Sequence, residues 1–345
     1  MSKKKLISLI ASVVLTLSAN TFAFGETNNN IRSKNISSSI VSSYNNSDLD
    51  KARKYMLSIG MDTNFVKNAP DLEVAKYINA KIVHQNTKYC RIDIEPENTI
   101  LNTLSSINGT ANKKSTLVEL SKDEFYKEVN EYNKSKIPDT IVKDNKIPAL
   151  LNSSDSNVTT KSWLTLTLTE STDGDNRNYL FTSAANWLTT PYFRGSDILG
   201  LGHDPNLTFK KNTSYFYGQC WMDSSTQGKQ DNHWVTSTSS NPNTCDTGGL
   251  GYIWSLPADY SRIVNYDGTH YTNYAHYTKF WCYLSYKAVV SSTNYTGNLS
   301  ISSDYAHQQD EFSISPSFSY PLGGSISITK TQDFDDVNVY ENWTM

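Results

Sequence analysis

Residues 163–169 read Trp-Leu-Thr-Leu-Thr-Leu-Thr, and this strict alternation of apolar and polar residues decides the fold. In an extended chain Leu164, Leu166 and Leu168 fall on one face, while the threonines and Trp163 fall on the other. That pattern is typical of a strand that is buried on one side only. We therefore predict that a β domain begins at Trp163.

Composition supports this boundary. All seven Trp, 16 of the 22 Tyr and 13 of the 16 Gly lie from Trp163 to the C-terminus. Aromatic residues favour pleated, half-buried surfaces, and short strands separated by glycine-rich turns favour an antiparallel β-sandwich. The predicted fold class is therefore mainly β, with a sandwich of about ten strands preceded by a small helical region. The predicted strands are residues 163–169, 179–187, 198–201, 215–222, 251–256, 276–291, 295–303, 312–319, 325–331 and 337–343.

The chain before this domain divides into four predicted segments. Residues 1–23 have the pattern of a secretory signal peptide, because three lysines precede an apolar run that is too short to span a bilayer. Residues 24–46 are rich in Asn and Ser and predict a flexible leader. Residues 47–151 predict a small helical N-terminal region, and residues 152–162 predict a linker to the sandwich at 163–345. We expect the protein to be secreted and extracellular.

Two capping boxes mark helices within this N-terminal region. Ser47 with Asp50, and Ser121 with Glu124, have the spacing at which two residues satisfy each other's backbone N–H groups at a helix start. Between these helices, residues 88–94 alternate as a strand.

The formal net charge of −3 is unevenly distributed. Residues 163–345 carry 9 Lys plus Arg against 17 Asp plus Glu, a net of −8, and residues 1–162 carry the other 22 against 17, a net of +5. An acidic β domain repels phosphate backbones, which argues against nucleic acid as a partner. The sequence contains no Gly-rich phosphate motif, Gly-x-Ser-x-Gly elbow or His-Glu-x-x-His motif, so we expect no cofactor.

The even number of cysteines suggests two disulfides in an exported chain, with three possible connectivities. We favour Cys220 with Cys245, because the polar segment between them has the composition of a long loop that a bridge would close. Free buried thiols are the alternative. The four candidates are Cys90, Cys220, Cys245 and Cys282.

Two short stretches carry a family resemblance. Trp187 is followed by Pro191, Arg194 and Asp197, and the later string 305–308 reads Tyr-Ala-His-Gln before an alternation of aromatic residues and Ser. In these stretches the chain resembles a group of secreted proteins from spore-forming Gram-positive bacteria that has no assigned activity. The resemblance implies export and a β-sandwich, and it implies no mechanism.

A second short string raises an enzymatic alternative. Residues 217–221 read Tyr-Gly-Gln-Cys-Trp and look like the active-site segment of transglutaminases, in which a Cys thiolate attacks a glutamine amide. By that resemblance Cys220 is the nucleophile, His270 or His276 the base, and Asp304 the third member. The residues after the cysteine, however, lack the helical pattern that lowers the pKa of such a thiol.

The sequence favours structural roles for the residues that could otherwise form metal or adhesion sites. The five histidines of the β domain lack zinc-enzyme spacing, and we interpret them as structural. Residues 173–176 (Asp-Gly-Asp-Asn) lack the full calcium ligand set and predict a hairpin turn. Residues 194–197 (Arg-Gly-Ser-Asp) predict a capped turn rather than an adhesion motif.

A tyrosine-rich stretch around the Asp267-Gly268 turn is the strongest binding candidate. Aromatic side chains with polar tips can stack on sugars or on a protein partner, although internal packing is an equal alternative. The candidate residues are Tyr260, Tyr266, Tyr271 and Tyr274.

Three functional hypotheses follow. We prefer a non-catalytic extracellular protein that binds a glycan, cell-wall material or a protein partner through its aromatic loops. The second hypothesis is a pore-forming or antagonistic toxin, because the Ser and Thr alternation in residues 295–331 is typical of strands that leave a sheet to line a pore. Only this hypothesis requires a membrane partner. The third is the Cys220 acyl transferase.

Overall fold

Helices precede the first strand because the polar N-terminal region carries apolar residues at helical spacing. The computed structural model describes residues 44–94, 115–135, 160–246, 248–309, 317–319, 327–329 and 334–345. In these, Leu49, Ala52 and Met56 form the buried side of α1. The N-terminal helices are α1 (Asn46–Ser58), α2 (Thr63–Asn68) and α3 (Asp71–Val74), followed by a 3₁₀ turn (Ala75–Tyr77).

The helix starts test the two predicted capping boxes. At α1 the cap is Asn45, whose side chain accepts from the Asp48 amide at 2.8 Å, so the helix begins before Ser47 and that capping box is wrong. The second box is confirmed at α4 (Lys122–Ser135), where the Glu124 carboxylate accepts from the Ser121 amide at 3.1 Å. The Ser121 hydroxyl in turn accepts from the Glu124 amide at 3.3 Å.

Seventeen strands lie in the described part of the chain. The first nine are β1 (Ala80–Ile94), β2 (Ser115–Leu120), β3 (Thr160–Asp173), β4 (Asn178–Trp187), β5 (Ser196–His203), β6 (Leu207–Phe209), β7 (Tyr215–Thr226), β8 (Lys229–Gln230) and β9 (His233–Ser239). The remaining eight are β10 (Thr244–Asp246), β11 (Gly249–Ser255), β12 (Tyr260–Tyr266), β13 (Thr269–Val290), β14 (Asn298–Gln308), β15 (Ser317–Ser319), β16 (Ser327–Thr329) and β17 (Phe334–Thr344).

These strands form two large antiparallel sheets and one small one. Sheet A has the order β2-β1-β3-β4-β13-β7-β8, with β6 and β12 also paired to β13 and β9 paired to β7. Sheet B has the order β10-β11-β5-β14-β17, and β15 and β16 form a two-stranded sheet. The predicted mainly β, antiparallel fold with a small helical region is confirmed.

The main core lies between sheets A and B, as in a β-sandwich. Leu164, Leu166 and Leu168 of β3 are fully buried there, as their alternation predicts, and they share one cluster with Leu201 and Ile301 of sheet B. Full burial of each such side chain contributes roughly 1.5–3 kcal/mol. At Trp163 the opposite face of β3 is covered instead by α4, where this side chain packs on Phe125 and Val129.

The N-terminal region is not a separate helical unit. Residues 44–345 form one compact unit, and β1 pairs with β3 along nearly its whole length. The helices pack on the outer face of sheet A, where the Phe65 ring lies 4.7 Å from that of Tyr283 and 5.1 Å from that of Trp281. The predicted boundary between the N-terminal region and the sandwich is wrong in this respect. β1 lies before this boundary and pairs with β3, which continues into the sandwich, so the pairing joins the two regions. Most of the predicted leader and of the 152–162 linker lies outside the described residues.

Several predicted strands are longer than expected. The aromatic segment predicted at 276–291 is the 22-residue β13, and the polar segment between Cys220 and Cys245 contains β8 and β9 rather than a long loop. Of the predicted strands 312–319 and 325–331, only β15 and β16 lie within the described residues. No helix in the described ranges is long and apolar enough to cross a membrane.

Candidate functional site

The tyrosine-rich stretch is a β-hairpin, and we call residues 260–275 the aromatic arm. It consists of β12 and the first part of β13, joined by a turn in which Asp267 and Gly268 have φ of 48° and 75°. Left-handed φ at both positions is what a type I′ hairpin turn requires, and the Asp-Gly pair adopts it readily. The stretch predicted as a loop is therefore a pair of antiparallel strands.

Large apolar side chains on this arm face solvent. Tyr260 is 49% exposed, Ile263 75% and Tyr266 53%. Tyr271 and Tyr274, on the partner strand, are half-buried. Among the described strands β12 pairs only with β13, so its outer edge presents unpaired backbone groups beside an exposed apolar surface. Such an edge is suited to contact with a surface or with another chain.

An ion-pair cluster joins the base of the aromatic arm to the segment that precedes β5. Arg194 makes a two-pronged contact with the Asp259 carboxylate, whose second oxygen lies 2.6 Å from His276 Nδ1 and whose first accepts from the Tyr277 amide at 2.8 Å. Burial by itself would raise the pKa of Asp259, but the hydrogen bonds from His276 and Arg194 outweigh it and hold that pKa well below its usual range. The carboxylate is therefore ionised and orients the arm.

A half-exposed tryptophan pair adjoins the arm. The register places Trp221 of β7 opposite Trp234 of β9, with ring centroids 5.4 Å apart. The Lys279 ammonium lies 5.4 Å from the first ring and 5.9 Å from the second. Lys279 has a φ of 55° at a β-bulge in β13, which turns its side chain toward the rings. The sequence did not indicate this pair, since only the β7–β9 register brings the tryptophans together.

The transglutaminase-like string has no enzymatic arrangement around it. Cys220 lies in the middle of β7, buried in the main core, and burial raises the pKa of its thiol to about 11. An activated thiolate needs a lowered pKa, so the shift has the wrong sign. The His276 ring is bound to Asp259, His270 lies in the arm opposite Asn265, and Asp304 belongs to sheet B. The arrangement of these residues therefore does not support the acyl transferase hypothesis.

None of the four cysteines, all of which lie in the described part of the chain, forms a disulfide. Cys90, Cys220 and Cys282 are buried on strands of sheet A, and Cys245 is exposed on β10 of sheet B. The structure differs from the predicted Cys220–Cys245 bridge because the segment between them is held by strand pairing. Cys90, Cys220 and Cys282 instead have the alternative arrangement of buried thiols, whereas Cys245 is exposed.

Four of the five histidines of the β domain contact other protein groups. His203 Nδ1 lies 2.8 Å from the Tyr286 hydroxyl, and His233 Nδ1 lies 3.0 Å from Asp231 Oδ1. Within the described ranges no group of three or more His, Cys, Asp or Glu residues is placed to hold a metal ion.

The Asp-Gly-Asp-Asn stretch forms the predicted hairpin turn between β3 and β4. Asp175 Oδ1 accepts from the amides of Arg177 and Asn178 at 2.7 and 2.8 Å, and Gly174 has a φ of 85°. The Asp175 carboxylate thus stabilises the turn.

Trp187, Asp197, Tyr305 and His307, four of the residues that carry the family resemblance, form one buried network. His307 Nδ1 lies 2.8 Å from Asp197 Oδ1, and Trp187 donates to the Tyr305 hydroxyl at 2.9 Å. Gln308 accepts from the Ser196 amide at 2.7 Å. Asp197 is fully buried on β5, where its carboxylate bonds to His307 and Tyr305 of β14 instead of capping the predicted turn.

A separate hairpin interrupts sheet B between its last two strands. β14 and β17 pair continuously up to Gln308 opposite Phe334, and β15 and β16 pair with each other in the intervening segment. Neither of these short strands pairs with a described strand of sheet A or sheet B.

Comparisons with known proteins add little. No family model and no curated protein matches the chain. A solved structure, Clostridium perfringens delta-toxin, is similar over 55% of this chain and 84% of that chain, at 8% identity and a TM-score of 0.18.

Proposed function

We propose that this chain is a secreted, non-enzymatic protein that inserts a β-hairpin into membranes and forms pores. The observation that carries the proposal is the place of residues 309–333 between β14 and β17. Because those strands pair up to Gln308 and Phe334, the chain leaves sheet B and re-enters it at a single point. Movement of this 25-residue segment, which spans residues 309–333, would break none of the described pairs between β14 and β17.

The sequence of the segment fits lipid on one face and water on the other. Apolar residues alternate with Ser over 312–320 and again over 325–328, on either side of the Pro-Leu-Gly-Gly stretch at 321–324, and in the described part Phe318 lies opposite Ile328 while Ser317 lies opposite Thr329. Transmembrane strands alternate in this way, with apolar residues toward lipid and polar residues toward the lumen. Each half of the segment supplies about the 9–11 residues that a tilted strand needs to cross the hydrocarbon layer.

One hairpin cannot line a pore alone. Its outer edges would leave backbone N–H and C=O groups unpaired in lipid, where each costs several kcal/mol. Hairpins from several copies must therefore pair edge to edge, and the proposal includes oligomerisation on the membrane.

Leakage of dye from vesicles tests the proposal with neighbouring substitutions. Ile328→Lys places a charge at a position proposed to face lipid, which costs roughly 2–4 kcal/mol near the bilayer centre, so release should fall by more than tenfold. Ser327→Lys, one residue earlier, is the matched control at a position proposed to face the lumen. It should keep release and change the ion selectivity. Vesicles that stay sealed with the unmodified protein, or equal effects of both substitutions, would contradict the proposal.

A second candidate function, binding to a target surface, is supported by the exposed apolar residues of the aromatic arm. Their replacement by Ser at Tyr260, Ile263 and Tyr266 should reduce binding to target membranes or cells and leave the unfolding temperature unchanged. Tyr340→Ser is the control, because this tyrosine is 46% exposed but lies on β17 of sheet B. Equal loss from both variants would show that the arm has no special role.

A further inference from the structure

A pocket with a volume of about 260 Å³ lies on the outer face of sheet A. One wall is the Ile59-Gly60-Met61 turn after α1, and Tyr126 of α4 lines the pocket as well. Its floor is formed by β1, β3, β4 and β13, which are neighbours in the sheet. None of the residues that line the pocket belongs to the segment 309–333 or to the aromatic arm.

The strand registers arrange the floor in cross-strand rows. The central row contains Thr87, Thr167, Ala184 and Tyr283, each opposite the next on the neighbouring strand. Because Ala184 has the smallest side chain of the row, it leaves room at the centre of the floor. The Tyr283 ring borders the row on the side of β13.

The two neighbouring rows differ from each other. One contains Gln85, Thr169 and Thr182, which are all polar, and in the other Tyr89, Thr165, Asn186 and Trp281 lie opposite one another in turn. The row therefore has an aromatic ring at each end and a hydroxyl and an amide between them. Asn186 is exposed, so its amide is accessible from solvent.

The polar strip offers hydrogen bonds without charge. Thr87 Oγ1 and Thr167 Oγ1 lie 2.9 Å apart, which occupies one of their donors and leaves acceptor positions on both oxygens. Every residue that lines the pocket is uncharged. A phosphate, a nucleotide or a cation would find no opposite charge there, whereas a neutral ligand with several hydroxyl groups would find matching donors and acceptors.

We propose that this pocket binds a single ring of a neutral saccharide. Aromatic rings that border a strip of hydroxyl and amide groups match a pyranose, which is apolar on its faces and polar around its edge. The volume lies below the roughly 300–1,000 Å³ of pockets for drug-sized ligands, which limits the ligand to about one ring. The site is independent of the proposed pore formation, since no residue of the segment 309–333 lines it.

Saturation-transfer NMR with the whole protein tests this proposal. The probes are glucose, galactose, mannose and N-acetylglucosamine at millimolar concentration, with glucuronate as a charged comparison. At least one neutral sugar should receive saturation, and glucuronate should receive less than glucose. Absence of transfer to all four neutral sugars would overturn the proposal, whatever the outcome of the vesicle experiment.

Two substitutions locate the binding. Ala184→Leu fills the centre of the floor and should reduce affinity by more than tenfold, while Thr167→Val keeps the shape, removes one hydroxyl and should reduce it by about fivefold, the factor for one net hydrogen bond. Thr238→Val, at an exposed position of β9, should have no effect. Circular dichroism checks folding, and if Ala184→Leu does not fold, Thr167→Val decides. Unchanged binding in a folded pocket variant would place the sugar elsewhere and overturn the proposal.

Discussion

The His307 imidazole and the Asp197 carboxylate form a buried pair, with Nδ1 2.8 Å from Oδ1 and less than 3% of either residue exposed. The second oxygen of Asp197 accepts from the Tyr305 hydroxyl, which accepts from the Trp187 indole. Trp187 belongs to sheet A and the others to sheet B. The network therefore links the two sheets to each other. Both of the sequence stretches that carry the family resemblance contribute residues to it.

Removal of the carboxylate should destabilise this connection. Asp197→Ala leaves His307 and Tyr305 buried without their acceptor, and loss of one partner of a buried pair costs roughly 3–5 kcal/mol. Urea unfolding measures the change in free energy. Asp231→Ala is the control, since the Asp231 side chain is 72% exposed and its loss should change stability by less than about 0.5 kcal/mol. Equal unfolding midpoints for the two variants would refute a structural role for the network.

Glu170 should make stability depend on pH. It lies on the core face of β3, no hydrogen bond to its carboxyl is present in the described part of the chain, and burial together with the nearby Glu341 charge raises its pKa to about 8. The folded protein thus holds a proton that the unfolded chain releases near pH 4.5. The contribution of Glu170 to the free energy of unfolding should be greatest below pH 4.5. It should decrease by on the order of 2–4 kcal/mol as the pH rises toward 8.

Thermal unfolding between pH 5 and pH 9 measures the effect of this carboxyl. Glu170→Gln keeps the shape and removes the titration, so its unfolding temperature should change less with pH than that of the unmodified protein. Parallel pH profiles for the two proteins would show that Glu170 ionises normally.

The buried pair Glu73–Lys76 should fix the N-terminal helices to the sheet. Glu73 accepts from Tyr283 at 2.9 Å and from Ser285 at 2.7 Å, and Lys76 donates to the Thr213 carbonyl at 2.7 Å. Glu73→Ala leaves a buried ammonium without its carboxylate, which costs roughly 3–5 kcal/mol. Lys51→Ala breaks the exposed pair on α1 and should cost less than about 1 kcal/mol.

The same contacts predict the result of removing the helices. Truncation of residues 44–79 exposes Trp281, Tyr283 and Tyr217, so the shortened protein should aggregate or bind apolar dyes. A truncated protein that stays monomeric and folded would identify residues 44–79 as a removable segment.

Local patterns in the sequence predict the secondary-structure elements, whereas contacts between residues far apart in the sequence form the candidate sites. The alternation of Leu164, Leu166 and Leu168 correctly predicts both a strand and its buried face, because period two is a property of one strand. The contact between Trp221 and Trp234 depends instead on the register of two strands.

The same limit explains the errors at the domain boundary and at the arm. Composition changes at Trp163, but the pairing of β1 with β3 is a property of both strands and has no local signal. The residue types of Tyr260 and Tyr266 suggest a binding surface from sequence alone, whereas the link through Asp259 that holds the arm joins residues 65 positions apart.

Alkylation with iodoacetamide should distinguish the cysteines by environment. Cys245 is exposed and should react in the native protein within minutes, whereas Cys90 and Cys220 should react only after unfolding, because burial raises the pKa of each thiol to about 11 and shields its sulfur. Cys282, which burial also holds well above its usual pKa, belongs with the protected group. Mass spectrometry after a native and a denaturing reaction reads out each site, and Cys245→Ser, which removes the reactive thiol, is the control. Rapid native labelling of Cys220 would revive a nucleophilic role for it, and failure of Cys245 to react without a reducing agent would restore the disulfide.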